Sequence, residues 1–280
     1  MNRPSDWSLV WGQIRYQNKI FWRTPVAAFF TLVFPLMFLL VFTVIFGNDE
    51  IPDLGVTTAQ FYAPALAVFG AVSATYTNLA IGTAIARDLG ILKRIRGTPL
   101  PPWAYLAGRI GSAAYLAAIA AVIMLGVGIL VFGVEVYPET LPSLVVTFAV
   151  GVACWSSLGM LAAAVSPSGD SAPAVTNATL LPLAFISDVF IPPGPDTPVW
   201  LDTVGNIFPL KPFVVAFQDA FTPQVAATTD SWLGHMHWAE LGVMVAWGVA
   251  GILLALRLFR WEPKGGERVG KPAPVTADKG

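Results

Sequence analysis

The fold is decided by a stretch of 25 residues, Thr24 to Asn48, which reads TPVAAFFTLVFPLMFLLVFTVIFGN and contains no charged side chain. A helix needs about 20 residues to cross roughly 30 Å of hydrocarbon, because it rises about 1.5 Å per residue. The whole chain has the same character, since 55% of its 280 residues are hydrophobic and only 12% are charged. Soluble domains carry about twice that charge. The sequence therefore predicts a protein embedded in a lipid bilayer.

Five further runs without charge follow along the chain. Three of them are 33, 25 and 30 residues long, so each can cross a bilayer unaided. The last two are 17 and 16 residues long and need their flanking residues to reach both interfaces. We therefore expect an all-α membrane protein with one transmembrane domain, residues 1–261, and six transmembrane helices. The expected spans are about 26–46, 61–86, 110–132, 142–165, 171–191 and 239–260.

The distribution of Lys and Arg predicts how the chain is oriented. If the N-terminus is cytoplasmic, the segments on that side hold 15 of the 16 basic residues, and only Lys211 lies on the other side with 11 of the 17 acids. Cytoplasmic loops of membrane proteins are enriched in Lys and Arg. We expect a multi-pass protein of a bacterial plasma membrane with both termini in the cytoplasm. This orientation also accounts for the positions of the basic residues, so a nucleic-acid partner is not needed to explain them.

The first 25 residues predict an amphipathic helix on the membrane surface rather than a signal peptide. Apolar residues recur with helical spacing while the cations fall on another face, where they would meet anionic lipid. Membrane lipid is thus an expected partner, and a soluble helix packed on another protein is the alternative. The apolar residues are Trp7, Val10, Trp11, Ile14 and Phe21, and the cations are Arg15, Lys19 and Arg23.

The region between the last two expected spans, roughly Asp188 to Trp238, predicts two short helices. A cluster of helix-breaking residues, IPPGPDTP, opens the region, and apolar residues then recur with helical spacing from Trp200 and from Phe213. Each helix is too short and too charged to span, so we expect both at the outer leaflet. The tail, 262–280, is rich in Lys, Gly and Pro and is expected to be a disordered cytoplasmic segment.

The most charged segment, RDLGILKRIRGTPLPP from Arg87 to Pro102, lies between the second and third expected spans. It predicts a helix from Asp88 to Arg96 with Gly97 as its cap. A helix of about nine residues is marginal in water. It must therefore be braced, either by the membrane face of its own chain or by a separate cytoplasmic subunit.

Two segments resemble one family. RDLGILKRIRGTPLP resembles the intracellular loop of ABC-2-type transporter permeases, and FIPPGPDTPVWLDTVGNIFPLKPF is similar to the region before the sixth span in that family. The resemblance implies the membrane subunit of an ATP-driven exporter, paired with a second permease copy or a homologue. It also implies an ABC ATPase subunit that binds ATP and Mg²⁺, while this chain binds no cofactor.

In the family, the short loop helix is called a coupling helix and sits in a groove of the ATPase. The resemblance implies that the cations contact acidic or carbonyl groups of the ATPase, while Leu92 and Ile95 fill its groove. Residues of the outer region that match or depart from the family pattern are Asp188, Pro192, Trp200 and Pro209. The residues expected at the ATPase are Arg87, Asp88, Gly90, Leu92, Lys93, Arg94, Ile95, Arg96, Thr98 and Pro99.

The chain does not carry a nucleotide site or another catalytic site that we can identify in its sequence. GGERVGKP, from Gly265 to Pro272, reads G-x-x-x-x-G-K, but Pro272 stands where Ser or Thr must hold magnesium. An ion-coupled secondary transporter remains the alternative function, although the expected spans lack the central carboxylates that such coupling normally needs. His235 and His237 are expected in an exposed loop rather than at a metal, and Cys154 is expected to be a packing residue.

Polar residues in the second and fifth expected spans are candidates for a substrate path. Hydrogen bonds between helices explain such residues equally well. The lack of charge in the spans favours a hydrophobic or amphipathic substrate, such as a drug, an antibiotic or a lipid-like molecule. The candidates are Tyr76, Asn78, Asn177 and Thr179.

Overall fold

The computed structural model describes residues 5–51, 54–98, 100–195, 197–228, 231 and 233–259, and most of the chain is helical. Short 3₁₀ turns at Pro138–Thr140 and Asp219–Phe221 precede or follow the longer helices. In chain order the elements are α1 (Asp6–Trp22), α2 (Pro25–Phe46), β1 (Glu50–Ile51), β2 (Val56–Thr57), α3 (Thr58–Asp88), α4 (Ile91–Arg96), α5 (Pro102–Phe132), α6 (Leu141–Val165), α7 (Ala172–Ile186), α8 (Val199–Ile207), α9 (Leu210–Gln218), α10 (Pro223–Ala226) and α11 (Trp238–Leu258).

Within the described residues, five helices are long and apolar enough to cross a membrane, namely α2, α3, α5, α6 with its preceding turn, and α11. The expected span 171–191 corresponds to α7, which has 15 residues and ends at Ile186. At about 1.5 Å per residue, α7 is roughly 22 Å long, less than the hydrocarbon thickness. The helix stops there because the backbone of Asp188 adopts a left-handed conformation, with φ of 57°.

We name the two ends of the molecule by the elements that they contain. We call the end that contains β1 and β2 the hairpin end. There the Gln60 side chain donates to the carbonyl of Phe221 at 2.6 Å and accepts from the backbone amide of Glu135 at 2.8 Å. We call the end that contains α4 the basic end. The bonds of Gln60 bring the loops after α5 and α9 together at the start of α3.

The first half of α3 forms the centre of the protein. Every residue from Thr58 to Val72 is buried, because α2, α5, α6 and α9 pack around it. Small side chains such as those of Ala63, Ala67 and Gly70 allow these neighbours to approach closely. By contrast, α2 and α11 leave many large apolar side chains exposed, as expected for surfaces that face lipid.

The two helices expected at the outer leaflet differ in their environment. On α8, Trp200 is exposed, in agreement with a surface position. On α9, by contrast, Phe213, Phe217 and the following Phe221 are all buried in the core at the hairpin end, and the position of α9 at the outer leaflet stays a prediction. Three rings at helical spacing bury a large apolar area, which stabilises α9 inside the protein rather than on its surface.

The N-terminal helix α1 packs against α5. Phe21 is buried, Asn18 accepts a hydrogen bond from the Ser112 hydroxyl, and Gly108 lets the backbone of Gln13 approach α5 closely. Trp7, at the start of α1, is 84% exposed. The helix predicted from the sequence is thus present, whereas its position on a membrane surface stays a prediction.

Candidate functional site

The segment between α3 and α5 forms a shorter helix than the sequence predicts. Helix α3 continues to Asp88, and α4 begins only at Ile91. Between them Gly90 has φ of 67°, a left-handed conformation that residues with a Cβ adopt only under strain. A Cβ at Gly90 would meet no atom within 4 Å, so the backbone conformation and not the available space requires glycine.

The side chain of Arg87 lies inside the protein, with only 1% of its surface exposed. Its guanidinium donates to the carbonyls of Ala163 at 3.0 Å, Ser166 at 2.9 Å and Pro167 at 3.4 Å. The expectation that Arg87 contacts an ATPase is therefore wrong in this structure. Arg87 instead fixes the end of α3 to the connection between α6 and α7.

Asp88 completes this attachment. One carboxylate oxygen accepts a hydrogen bond from Arg87 Nε at 3.1 Å, and the other accepts from the backbone amide of Gly169 at 2.6 Å. Both partners of Asp88 belong to this chain. Asp88 is therefore held at the junction between α3 and the α6–α7 connection, and it does not form part of α4.

Leu92 anchors α4 to the rest of the protein. Its side chain is fully buried among Ala86, Tyr105 and neighbouring apolar residues, with Phe259 beyond α11 packed against the same cluster. The chain thus supplies the bracing that so short a helix requires. The expectation that Leu92 fills a groove of another subunit is wrong, and Ile95 is also partly buried in this cluster.

The outward face of α4 is basic at its centre and apolar at one edge. Lys93 and Arg94 are exposed, and Arg94 donates to the carbonyl of Leu89 at 3.1 Å. Leu89 is 61% exposed and Ile91 is 38% exposed. We call Leu89, Ile91, Lys93 and Arg94 the α4 surface.

The remaining residues of the predicted docking set lie after α4 or outside the described part of the structure. Thr98 is exposed and its hydroxyl donates to the carbonyl of Ile95 at 2.7 Å, which closes the turn after α4. The side chain of Arg96 and the whole of Pro99 lie outside the described residues. The residues that the sequence predicts at the ATPase do not include Leu89 and Ile91. Because Leu92 points inward, helical spacing places its neighbours Ile91 and Lys93 on the outward side of α4.

The four candidates for a substrate path do not form one surface. Tyr76 on α3 and Thr179 on α7 are joined by a hydrogen bond of 2.6 Å between their hydroxyl groups. Asn177 is exposed on α7, whereas Asn78 lines a cavity beside α1 and α5. The structure therefore supports a polar connection between α3 and α7 and separates Asn78 from it.

The backbone around Tyr76 departs from a regular α-helix. Residues Ser73–Asn78 form a π-helical segment, a distortion that is frequent at functional sites. Gly159 of α6 lies against this segment, since a Cβ there would be 2.4 Å from the carbonyl oxygen of Thr75. The buried side-chain atoms Thr77 Oγ1 and Trp155 Nε1 have no hydrogen-bond partner among the described residues. Buried polar groups without a partner are costly, so the contact between this segment and α6 is polar but incompletely paired.

At the hairpin end, Lys211 joins two carboxylates that the sequence places far apart. Its ammonium group lies 2.9 Å from Asp188 and 2.7 Å from Asp202, although only 4% of the residue is exposed. Burial alone would lower the pKa of Lys211, but the hydrogen bonds to both carboxylates outweigh burial, so the pKa is raised. Pro209 is buried beside Lys211 and Pro192 is half-buried. This ion-pair network ties the end of α7 to α8 and α9.

The two histidines differ from the expectation of an exposed loop. His235 is buried, and neither ring nitrogen has a hydrogen-bond partner among the described residues. His237 lies 3.3 Å from Asp219 and 3.8 Å from Glu240. No group of three or more His, Cys, Asp or Glu in the described part of the chain is arranged to hold a metal ion.

Comparison with known proteins agrees with this architecture. The family model of the ABC-2 type transporter matches residues 8–222. The chain is also similar to the daunorubicin resistance ABC transporter permease protein DrrB1 of Streptomyces coeruleorubidus, with 30% identity over 195 residues. That alignment covers 67% of this chain and 65% of the relative, so it spans slightly less than two thirds of the relative's length. The match to the family model extends from α1 to the turn after α9, and the chain is therefore a multi-pass membrane protein that belongs to the ABC-2 type transporter family.

Proposed function

We propose that the chain is the permease subunit of an ABC exporter and that the α4 surface binds the ATPase subunit. The observation that carries the proposal is the α4 surface itself, a basic and partly apolar face held rigidly at the basic end by Leu92 and Arg87. A groove with acidic groups or free carbonyls, and an apolar wall for Leu89 and Ile91, is complementary to it. ATP and Mg²⁺ bind to the partner subunit.

The buried contacts of Arg87 and Asp88 explain how a displacement of α4 would reach the membrane helices. Arg87 connects the end of α3 to the carbonyls of Ala163 and Ser166, and Asp88 connects it to the amide of Gly169. A force on α4 therefore acts on α3 and on the α6–α7 connection together. Packed helices of this kind move as rigid bodies. Two copies of the chain, or one copy and a homologue, would surround a path between them.

The proposed topology has six crossings, with α7 as the fifth. The amide of Gly169, just before α7, contacts Asp88 at the basic end, while the carbonyl of Phe190, just after α7, accepts from the Tyr62 hydroxyl at 3.1 Å in the half of α3 nearer the hairpin end. The extended residues after Ile186 add the length that α7 lacks. Under this topology both termini lie on the basic side, which is the cytoplasmic side of a bacterial plasma membrane.

A hydrophobic or amphipathic substrate suits the membrane helices. The acidic residues of the long helical segments lie near their ends, at Asp88, Glu139 and Glu240, so a carboxylate for ion coupling is not found near their centres. This arrangement favours the exporter over an ion-coupled secondary transporter. A drug-like substrate is supported by the name of the daunorubicin resistance relative.

The docking proposal is tested by reversing the charge of Lys93 and Arg94 together. We expect the Lys93→Glu, Arg94→Glu variant to lose co-purification with the ATPase subunit, because like charges would face each other across the interface. Arg257→Glu is the matched control, since Arg257 is exposed in the last turn of α11 and lies outside the α4 surface. Equal recovery of the ATPase with both variants would show that the α4 surface is not the docking site.

A further inference from the structure

A cavity of about 530 Å³ lies at the basic end, enclosed by α1, α3, α4 and α5. This volume is typical of sites that bind small molecules or parts of larger amphiphiles. The lining includes polar side chains from three helices, Gln13 and Gln17 of α1, Asn78 of α3 and Arg109 of α5. The lining also includes exposed apolar residues such as Ile20 and Ile85. The cavity therefore combines a mostly apolar lining with a few polar side chains.

Arg109 is the charged residue among those that line the cavity. It lies seven residues beyond the start of α5, or about 10 Å along the helix. One guanidinium nitrogen donates to the Tyr105 hydroxyl at 3.0 Å, but Nε is buried and has no hydrogen-bond partner among the described residues. None of the ion pairs found among the described residues includes Arg109. Arg109 is partly buried, and a cation without a counter-ion whose Nε is buried and unpaired is costly inside a membrane protein, so the arrangement favours an anion beside it.

The position of the guanidinium is fixed by its surroundings. Gly82 of α3 lies directly against Arg109, because a Cβ at Gly82 would be 2.4 Å from Nη2. Tyr105 holds the other side, with its ring 5.8 Å from the guanidinium carbon. Arg109 is thus confined between α3 and α5 and lines the cavity.

We propose that the cavity binds the phosphate of an anionic phospholipid from the leaflet at the basic end. Arg109 forms a charge-assisted hydrogen bond with the phosphate, and Gln13 and Gln17 add neutral donors. The acyl chains leave toward the hydrocarbon over exposed apolar lining residues such as Ile20 and Ile85, which a free phosphate ion would not use. The lipid would bridge α1 to α3 and α5. This inference requires a membrane protein but not the docking proposal for α4.

The inference is tested by native mass spectrometry of the full chain released from nanodiscs that contain phosphatidylcholine and phosphatidylglycerol. We expect the unaltered protein to retain phosphatidylglycerol and Arg109→Gln to bind it roughly tenfold to a hundredfold more weakly, since one hydrogen bond to a charged group is lost. Gly82→Ala should weaken retention as well, because the new methyl group displaces the guanidinium. Arg109→Lys should retain part of the binding, which separates lost charge from misfolding.

The matched control is Arg15→Gln, because Arg15 lies on α1 over the ring of Trp11 and does not line the cavity. We expect Arg15→Gln to retain phosphatidylglycerol like the unaltered protein. Unchanged retention in Arg109→Gln would overturn the site, and so would an equal loss in Arg15→Gln. Displacement of the lipid by inorganic phosphate alone would overturn the assignment to a lipid and indicate a site for a free anion.

Discussion

Replacement of Arg87 by Met should destabilise the protein strongly, although Arg87 lies in its most basic segment. The substitution keeps an apolar chain of similar length but removes the guanidinium from three backbone carbonyls. Two of these bonds are 3.0 and 2.9 Å long and buried. At about 1.5–3 kcal/mol for each hydrogen bond to a charged group, they contribute about 3–6 kcal/mol. The substitution also removes the cost of burying a charge, which offsets part of this contribution. The free energy of unfolding should therefore fall by about 3–5 kcal/mol.

The loss is measured by thermal unfolding of the purified chain in detergent. For a protein of this size, each kcal/mol shifts the midpoint by about 2–4 °C, so Arg87→Met should unfold roughly 6–20 °C lower. One fixed scan rate is required, since large proteins commonly unfold irreversibly. The Asp88 carboxylate also loses its partner, and this adds to the same effect.

Arg94→Met is the matched control because Arg94 is exposed on α4 and makes one hydrogen bond, to the carbonyl of Leu89. Its unfolding midpoint should stay within about 2 °C of that of the unaltered protein, since exposed groups contribute about 0.5 kcal/mol or less. If Arg87→Met unfolded at the same temperature as Arg94→Met, the buried network at the end of α3 would not stabilise the protein, and the structural role of Arg87 would be refuted.

Three further changes follow from the same contacts. Gly90→Ala should cost about 1–2 kcal/mol in thermal unfolding because of the left-handed backbone, with Gly97→Ala, whose φ is −87°, as control. The raised pKa of Lys211 means that its contribution to stability is complete below the ordinary value of 10.5 and is lost as the pH rises through the raised value. Unfolding midpoints measured from pH 9 to pH 12 should therefore fall more for the unaltered protein than for Lys211→Met, and parallel curves would contradict this. Tyr76→Phe removes the bond to Thr179 and should cost about 0.6 kcal/mol while leaving co-purification of the ATPase unchanged.

The membrane helices could be predicted from the sequence because a bilayer imposes a length and an apolar composition on every span. The charge-free run at Thr24–Asn48 corresponds closely to α2. The helix in the run that gives α7 ends earlier than expected, because composition alone does not show where a helix stops. Its end depends on the left-handed backbone of Asp188, a residue that tertiary contacts with Lys211 hold in place.

The environment of individual side chains in the docking segment could not be predicted. Arg87 and Lys93 are both basic residues next to an apolar run, but one is buried against the α6–α7 connection and the other is exposed. Only contacts between residues about 80 positions apart distinguish them. The same holds for Leu92, whose burial depends on Tyr105 and Phe259. Local sequence predicts that a basic helix exists here, and tertiary packing decides which of its residues a partner can reach.

The most direct test of the proposed docking site is photo-crosslinking in the native host, with a benzophenone amino acid placed at Lys93 on α4 or at Val199 on α8. Both positions are exposed, and they lie at opposite ends of the protein. We expect a crosslink to an ATP-binding subunit from position 93 and none from position 199. A crosslink to that subunit from position 199, or none from position 93 when the subunit co-purifies, would contradict docking at α4.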